Sequence, residues 1–111
     1  MDQSLMKGST AMLVLKLLDG QDLYGYQMIE ELRRRSDHTF DLKAGTLYPL
    51  LHSLEQQGFV TAWEENCGTA RPRRYYHLTD EGRGQLAVRE TEWKSYAHAV
   101  MQVLEGGASL A

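Results

Sequence analysis

The chain has 111 residues and a mass of 12.7 kDa, the size of one small domain. Its 42% hydrophobic and 24% charged residues are ordinary for a packed protein and exclude a disordered tail or a low-complexity array. The longest apolar run, Ala11 to Leu15, is too short to span a membrane. The N-terminus lacks the apolar segment of a secretory signal, and a single cysteine cannot form an internal disulfide, so we expect a cytoplasmic protein with no membrane partner.

The net charge of −3 argues, for the chain as a whole, against a nucleic-acid-binding protein, because such proteins usually carry a basic footprint. The acids, however, lie mostly toward the two ends of the chain. Residues 66–78 contain three arginines and no acid, and residues 43–54 contain one lysine and no acid. The distribution of charge therefore leaves room for a locally basic surface built from the middle of the chain.

Two helices are predicted in the first third of the chain. The first runs from Ser9 to Leu18 and is apolar nearly all round, so it must be covered on more than one side. In so small a chain, a partner subunit is the expected second cover. The second helix runs from Gly25 to Arg35, with apolar residues at i, i+1 and i+4 on one face.

A third helix is predicted from about residue 43 to residue 57, with four leucines at i, i+3, i+4 and i+7. Pro49 is expected in its first turn, where a missing backbone N–H is harmless. The side opposite the leucines contains no acid and consists of Gly45, Pro49, His52 and Gln56, flanked by Tyr48 and Ser53. Such a face fits a groove of DNA, but it is also typical of a plain solvated surface, and the helix alone leaves both interpretations open.

A hairpin follows, because residues 60–65 and 73–78 are rich in aromatic and β-branched side chains and a turn-forming stretch separates them. Trp63 shares a strand face with Thr61 and Glu65, so it is either half exposed or packed on a helix, and its size favours packing. Of Tyr75 and Tyr76, one ring is expected to point inward, since side chains alternate along a strand.

The last helix is predicted to begin with Thr79 as its N-cap and to run to about Leu104. At 1.5 Å per residue it is roughly 37 Å long, too long for the rest of so small a domain to cover. Its apolar residues form a heptad-like seam of Leu86, Trp93, Ala97, Val100 and Leu104. We therefore expect the seam to pack on a second chain.

The order of these elements is that of a winged helix-turn-helix protein that is mainly α with a small β-hairpin and a long C-terminal dimerisation helix. Several motifs in order also resemble the PadR family of transcriptional regulators: residues 23–26 (LYGY), 45–51 (GTLYPLL), 54–55 with 58–60, 72–76 (PRRYY), and 78–79 with Gly82. The resemblance covers residues 5 to about 105. It implies a DNA-binding domain over 1–78, with a recognition helix at about 43–57 and a wing at about 60–78. It also implies a dimerisation helix over 79–111, the whole folded as one compact unit.

The resemblance further implies a homodimeric repressor that binds double-stranded DNA at an inverted-repeat operator. Carried onto this chain, the residues facing the major groove are Thr46, Tyr48, Pro49 and His52, with Lys43 at the start of the helix. The wing residues that reach the DNA backbone are Arg71, Arg73 and Arg74. Tyr24 is a further phosphate contact through its hydroxyl group. Few of these side chains make bidentate base contacts, so specificity is expected to rest on apolar contacts and DNA shape.

Alternatives remain open for two residues. Trp93 is either a large packed residue of the dimer interface or, as in short members of the family, a stacking surface for a flat aromatic effector. Cys67, in the hairpin turn near three arginines, is either a plain exposed thiol or a redox sensor.

The histidines are not paired at metal-ligand spacing, and we predict no metal or other cofactor. Without a nucleophile motif or a phosphate-binding loop, we predict that the protein is not an enzyme. The rival to a DNA-binding regulator is a winged-helix adaptor that binds protein and not DNA, which the net negative charge favours.

Overall fold

The computed structural model describes residues 8–66, 68 and 71–106, and within them it contains four helices and a three-stranded antiparallel sheet. The elements in chain order are α1 (Thr10–Leu17), β1 (Leu23–Tyr24), α2 (Gly25–Arg35), α3 (Ala44–Gln56), β2 (Val60–Glu65), β3 (Arg73–Leu78) and α4 (Asp80–Glu105). The predicted four helices and wing are confirmed, with helix ends within a few residues of the predicted ones.

The sheet has one strand more than the predicted hairpin. β3 lies in the middle, paired with β2 on one side and with the two-residue β1 on the other. Tyr76 points inward and is buried, whereas Tyr75 lies on the outer face, as the alternation predicts. The prediction that Trp63 packs on a helix was wrong. Trp63 is half exposed on the outer face, stacked on Tyr75, its partner in the β2–β3 register.

The core lies between the helices and the inner face of the sheet. The leucine stripe of α3 enters it as predicted: Leu47, Leu51 and Leu54 are buried, and Leu50 packs against the cluster. Each buried leucine contributes roughly 1.5–3 kcal/mol to folding. This packing fixes the roll of α3, so the side opposite the leucines faces outward.

Pro49 does not lie in the first turn of α3, which corrects the prediction. The helix begins at Ala44, so Pro49 is in its second turn and the carbonyl of Gly45 lacks an i+4 donor. Both residues are exposed, so water can hydrogen-bond to that carbonyl. The proline is tolerated because the affected turn faces solvent.

Hydrogen bonds fix the start of α4 to the turn between α3 and β2. The Thr79 hydroxyl accepts from the backbone N–H of Gly82 at 2.9 Å, which confirms the predicted N-cap, and donates to the Gly58 carbonyl at 2.7 Å. The Thr79 N–H donates to the Phe59 carbonyl. Leu86 is the last core residue of α4, and the rest of the helix extends away along a molecule 68 Å in its longest dimension. None of the described helices is long and apolar enough to cross a lipid bilayer.

Candidate nucleic-acid interface

The outer side of α3 presents a continuous surface without an acid. The four residues predicted to face the major groove, and Lys43 at the start of the helix, are all exposed: Lys43, Thr46, Tyr48, Pro49 and His52. The one acid of α3, Glu55, is half buried and turned toward the wing, where Arg74 binds it. A phosphate backbone approaching this side of α3 would therefore meet no carboxylate from the helix itself.

Tyr48 connects α3 with the start of α2. A Cβ atom built on Gly25 would lie 2.2 Å from the Tyr48 hydroxyl oxygen, so the tyrosine occupies space that only glycine leaves open. Sequence reasoning recognised both residues as parts of motifs but gave no physical reason for the glycine. The contact explains why a glycine at position 25 accompanies a tyrosine at position 48, and it brings Tyr24, the N-cap of α2, close to α3.

Lys43, at the N-cap of α3, is held by an acid that sequence reasoning missed. Its Nζ donates to Asp41 Oδ2 at 2.6 Å, and Arg33 Nη2 donates to the other oxygen of the same carboxylate at 3.0 Å. Lys43, and then Arg33, lower the pKa of Asp41 below its ordinary value. The carboxylate stays ionised and offsets part of the positive charge at this end of the helix.

The two neighbouring arginines of the wing point to opposite faces of the sheet. Arg74 points inward: its Nη2 donates to both carboxylate oxygens of Glu55 at 3.1 Å, and its Nε donates to the Tyr76 hydroxyl at 3.2 Å. The Tyr76 hydroxyl, followed by Glu55, raises the pKa of Arg74. Arg74 therefore joins the wing to the C-terminal end of α3. Strand alternation could have shown from the sequence that Arg73 and Arg74 point to opposite faces of the sheet.

Arg73 lies on the outer face, where it meets Tyr24. Its guanidinium carbon is 5.1 Å from the centre of the Tyr24 ring, within range of a cation–π contact. Arg71 is exposed in the loop that precedes β3. Cys67, the predicted exposed thiol or redox sensor, lies outside the described residues. The structure thus groups Tyr24 with Arg73 and places Arg74 elsewhere.

The seam of α4 is uncovered beyond Leu86. Trp93 is 49% exposed, Val100 37% and Leu104 73%, while Ala97 is half buried. Trp93 also forms one wall of a groove of about 200 Å³, whose apolar floor comes from Met12 and Leu13 of α1. An uncovered side was predicted from the sequence for both α1 and α4, but the sequence did not show that the two sides lie next to each other.

The described residues contain no group of three or more His, Cys, Asp or Glu side chains placed to hold a metal ion. Beside the carboxylates of Glu64 and Glu65 on β2, the outer side of α3 and the wing offer hydroxyl, amide, imidazole, ammonium and guanidinium groups. These groups bind phosphate oxygens and base edges.

Similar proteins were found by sequence and by fold. A model of the transcriptional regulator PadR-like family matches residues 14–88. A transcriptional regulator of Mycobacterium tuberculosis is 32% identical over 80 residues, covering 72% of this chain and 71% of that protein. The negative transcriptional regulator PadR of Bacillus subtilis is 30% identical over 73 residues, covering 66% of this chain and 40% of that protein. A PadR family transcriptional regulator from Eggerthella lenta has a crystal structure that superposes with a TM-score of 0.81 at 38% identity, covering 93% of this chain and 88% of that one.

Proposed function

Since the chain belongs to the PadR-like family of transcriptional regulators, which are not enzymes, we propose that it is a cytoplasmic, homodimeric repressor that binds an inverted-repeat DNA operator. The observation that carries the proposal is the outer side of α3, which is exposed over its whole length and free of acids. In this proposal α3 enters the major groove with Thr46, Tyr48, Pro49 and His52 toward the bases. Lys43 contacts the backbone at the start of the helix.

The wing and the start of α2 bind the flanking phosphates. Arg73 and Tyr24 reach the backbone from the outer face of the sheet, and Arg71 reaches it from the loop. Arg74 contributes by exchanging its pair with Glu55 for a phosphate or by holding the wing at its angle to α3. Arginine suits this role because its fork of N–H donors matches the oxygens of a phosphate.

A second copy of the chain covers the seam of α4. Three apolar side chains of the seam, Trp93, Val100 and Leu104, are exposed on the isolated chain, and apolar surface of this kind gains free energy when a partner removes it from water. The dimer places two copies of α3 about one helical turn of DNA apart, which fits an inverted repeat. Each protomer then reads one half-site.

A salt titration on a mixed-sequence duplex tests this function. We expect the logarithm of the binding constant to fall linearly with the logarithm of salt concentration, because phosphate binding releases counterions. Replacing both Arg73 and Arg74 by alanine should weaken binding to every sequence and flatten the slope by about 0.9 for each phosphate that is no longer neutralised. An unchanged slope in the double variant contradicts a wing–phosphate role. A flat slope for the unmodified protein favours the protein-binding adaptor.

The groove beside Trp93 favours an aromatic small-molecule effector. A planar compound stacked on Trp93 would lie against Met12 and Leu13 at the dimer interface. It would release DNA only if it bound more tightly to a dimer whose two recognition helices are set at a different angle.

We expect such a compound to quench tryptophan fluorescence and to weaken DNA binding together. Both effects should be lost in Trp93→Phe, which leaves Trp63 as the only tryptophan. Quenching that survives this substitution would place the compound elsewhere.

A further inference from the structure

The outer face of the sheet carries a row of aromatic rings that crosses all three strands. Trp63 of β2 is stacked on Tyr75 of β3, with ring centres 4.5 Å apart and planes 10° apart. Tyr75 meets Tyr24 of β1 edge to face, with centres 5.3 Å apart. The guanidinium of Arg73 lies over the Tyr24 ring, at the end of this row. Each ring contact joins one strand to the next, so the row is continuous from Trp63 to Arg73.

Both ends of the row are held by polar contacts. At one end, the indole N–H of Trp63 donates to Asp22 Oδ2 at 2.8 Å, and the other oxygen of that carboxylate lies 2.7 Å from His77 Nδ1. The indole is thereby fixed to the residue that precedes β1. Toward the other end, the Tyr75 hydroxyl hydrogen-bonds with Glu65, which raises its pKa, and with Arg73, which partly offsets that rise. Trp63 and Arg73, at the two ends of the row, therefore each have a polar partner as well as a ring contact.

We propose that Trp63 is a positioning residue for DNA binding: through Tyr75 it fixes Tyr24 and Arg73 as one preformed phosphate-binding pair. The inference rests on the proposed function and adds to it a residue that touches no DNA. Tyr24 belongs to the start of α2 and Arg73 to the wing, so the two reach one stretch of backbone together only if the wing keeps a fixed angle to α2. The backbone pairing of β1 with β3 fixes that angle, and the aromatic row fixes the two side chains upon it.

Holding Arg73 in place before binding favours association because an arginine side chain loses conformational freedom when it binds a phosphate. Immobilising a long, flexible side chain at an interface opposes association, and a side chain already held in its bound position loses less. Arg73 is held by the Tyr24 ring and the Tyr75 hydroxyl, whereas Arg74 points to the opposite side of the sheet, toward Glu55. Disruption of the row should therefore reduce the contribution of Arg73 to DNA affinity and leave the contribution of Arg74 unchanged.

A pair of double-mutant cycles tests this inference. The probe is a labelled duplex of mixed sequence, about 30 base pairs long, because phosphate binding does not require the operator. Trp63→Val keeps a side chain suited to a strand but removes the stacking surface. We expect it to weaken binding about fivefold and to flatten the salt slope, as happens when a phosphate is no longer neutralised. Trp63→Phe keeps a ring on Tyr75 and should retain most of the affinity.

The decisive quantity is the coupling free energy between position 63 and each of the two arginines. Arg73→Ala should weaken binding clearly in the unmodified protein and about fivefold less in the Trp63→Val background, because the preformed pair is already disrupted there. Arg74→Ala is the matched control, and its effect should be the same in both backgrounds. Additive effects of Trp63→Val and Arg73→Ala overturn the inference. Equal coupling to both arginines also overturns it, since that indicates general loosening of the wing.

Two further measurements distinguish failure of this inference from failure of a variant to fold and from failure of the proposed function. If Trp63→Val does not fold by circular dichroism, Asp22→Ala takes its place in both cycles, because it removes the acceptor that holds the indole while the stacking surface remains. Absence of binding by the unmodified protein at low salt contradicts the proposed function itself. Binding by the unmodified protein, with no weakening in Trp63→Val or, where Asp22→Ala is used, no coupling between Asp22→Ala and Arg73→Ala, contradicts only the positioning role.

Discussion

Replacing Gly82 by alanine is expected to destabilise the protein by at least about 3 kcal/mol, at the upper end of what overpacking usually costs. A Cβ atom at this position would lie 2.0 Å from the backbone carbonyl oxygen of Phe59 and 2.7 Å from a methyl group of Leu78. The Phe59 carbonyl cannot move aside easily, because it accepts the hydrogen bond from the Thr79 N–H that fixes the start of α4. The new methyl group must therefore push α4 away from the wing.

Gly84, in the same turn of α4, is the matched control. No described atom lies within 4 Å of a Cβ built there, and the residue is exposed. Gly84→Ala should be neutral or stabilise the protein by up to about 1 kcal/mol, because alanine favours a helix more than glycine does. Urea denaturation at one fixed protein concentration measures both changes. Equal free energies of unfolding for the two variants would contradict the packing of α4 against Phe59.

Introducing a charge at Ala97 is expected to dissociate the proposed dimer and to weaken operator binding about a hundredfold or more, because each monomer then binds a single half-site. Ala97 lies in the middle of the seam, between Trp93 and Val100, and is half buried even in the isolated chain. Ala97→Glu would bury a carboxylate between two apolar helix faces, with no partner on the seam to neutralise it. The monomer should keep its helices and its wing, because Leu86 is the last core residue of α4.

Ala99→Glu is the control for the dimer. This alanine lies about 200° round the same helix from Ala97 and is exposed, so a glutamate there should face water. Light scattering after size-exclusion chromatography should give the mass of the 12.7 kDa chain for Ala97→Glu and twice that mass for Ala99→Glu. A dimer that survives Ala97→Glu at micromolar concentration would show that the seam is not the interface.

Sequence patterns predicted correctly the features that depend on residues close together in the chain. The leucine spacing of α3, the alternation of Tyr75 and Tyr76 in β3 and the Thr79 cap all involve residues within a few positions of each other, and each was confirmed. The two-residue strand β1 was missed because it is too short to show any alternation. It is a strand only because β3, about fifty residues later, hydrogen-bonds to it.

Contacts between distant segments set the rest of the site. Gly82 and Gly84 look alike in sequence, and only the Phe59 carbonyl, from another element, distinguishes them. Trp63 was expected to pack on a helix because its size favours burial. Its actual partners, Tyr75 and Asp22, come from two other parts of the chain. The roles of Arg73 and Arg74 could have been separated by strand alternation, but their partners, Tyr24 and Glu55, could not have been found without the fold.

We propose that this chain is a sequence-specific DNA-binding regulator, and the most direct test is a gel-shift titration against duplex DNA from its own promoter. The promoter is the natural first fragment, because repressors of the family it resembles are expected to control their own genes. We predict a shifted complex that survives an excess of scrambled duplex as competitor. Absence of any complex at low salt, with protein shown to be folded, would contradict the claim and favour the protein-binding adaptor.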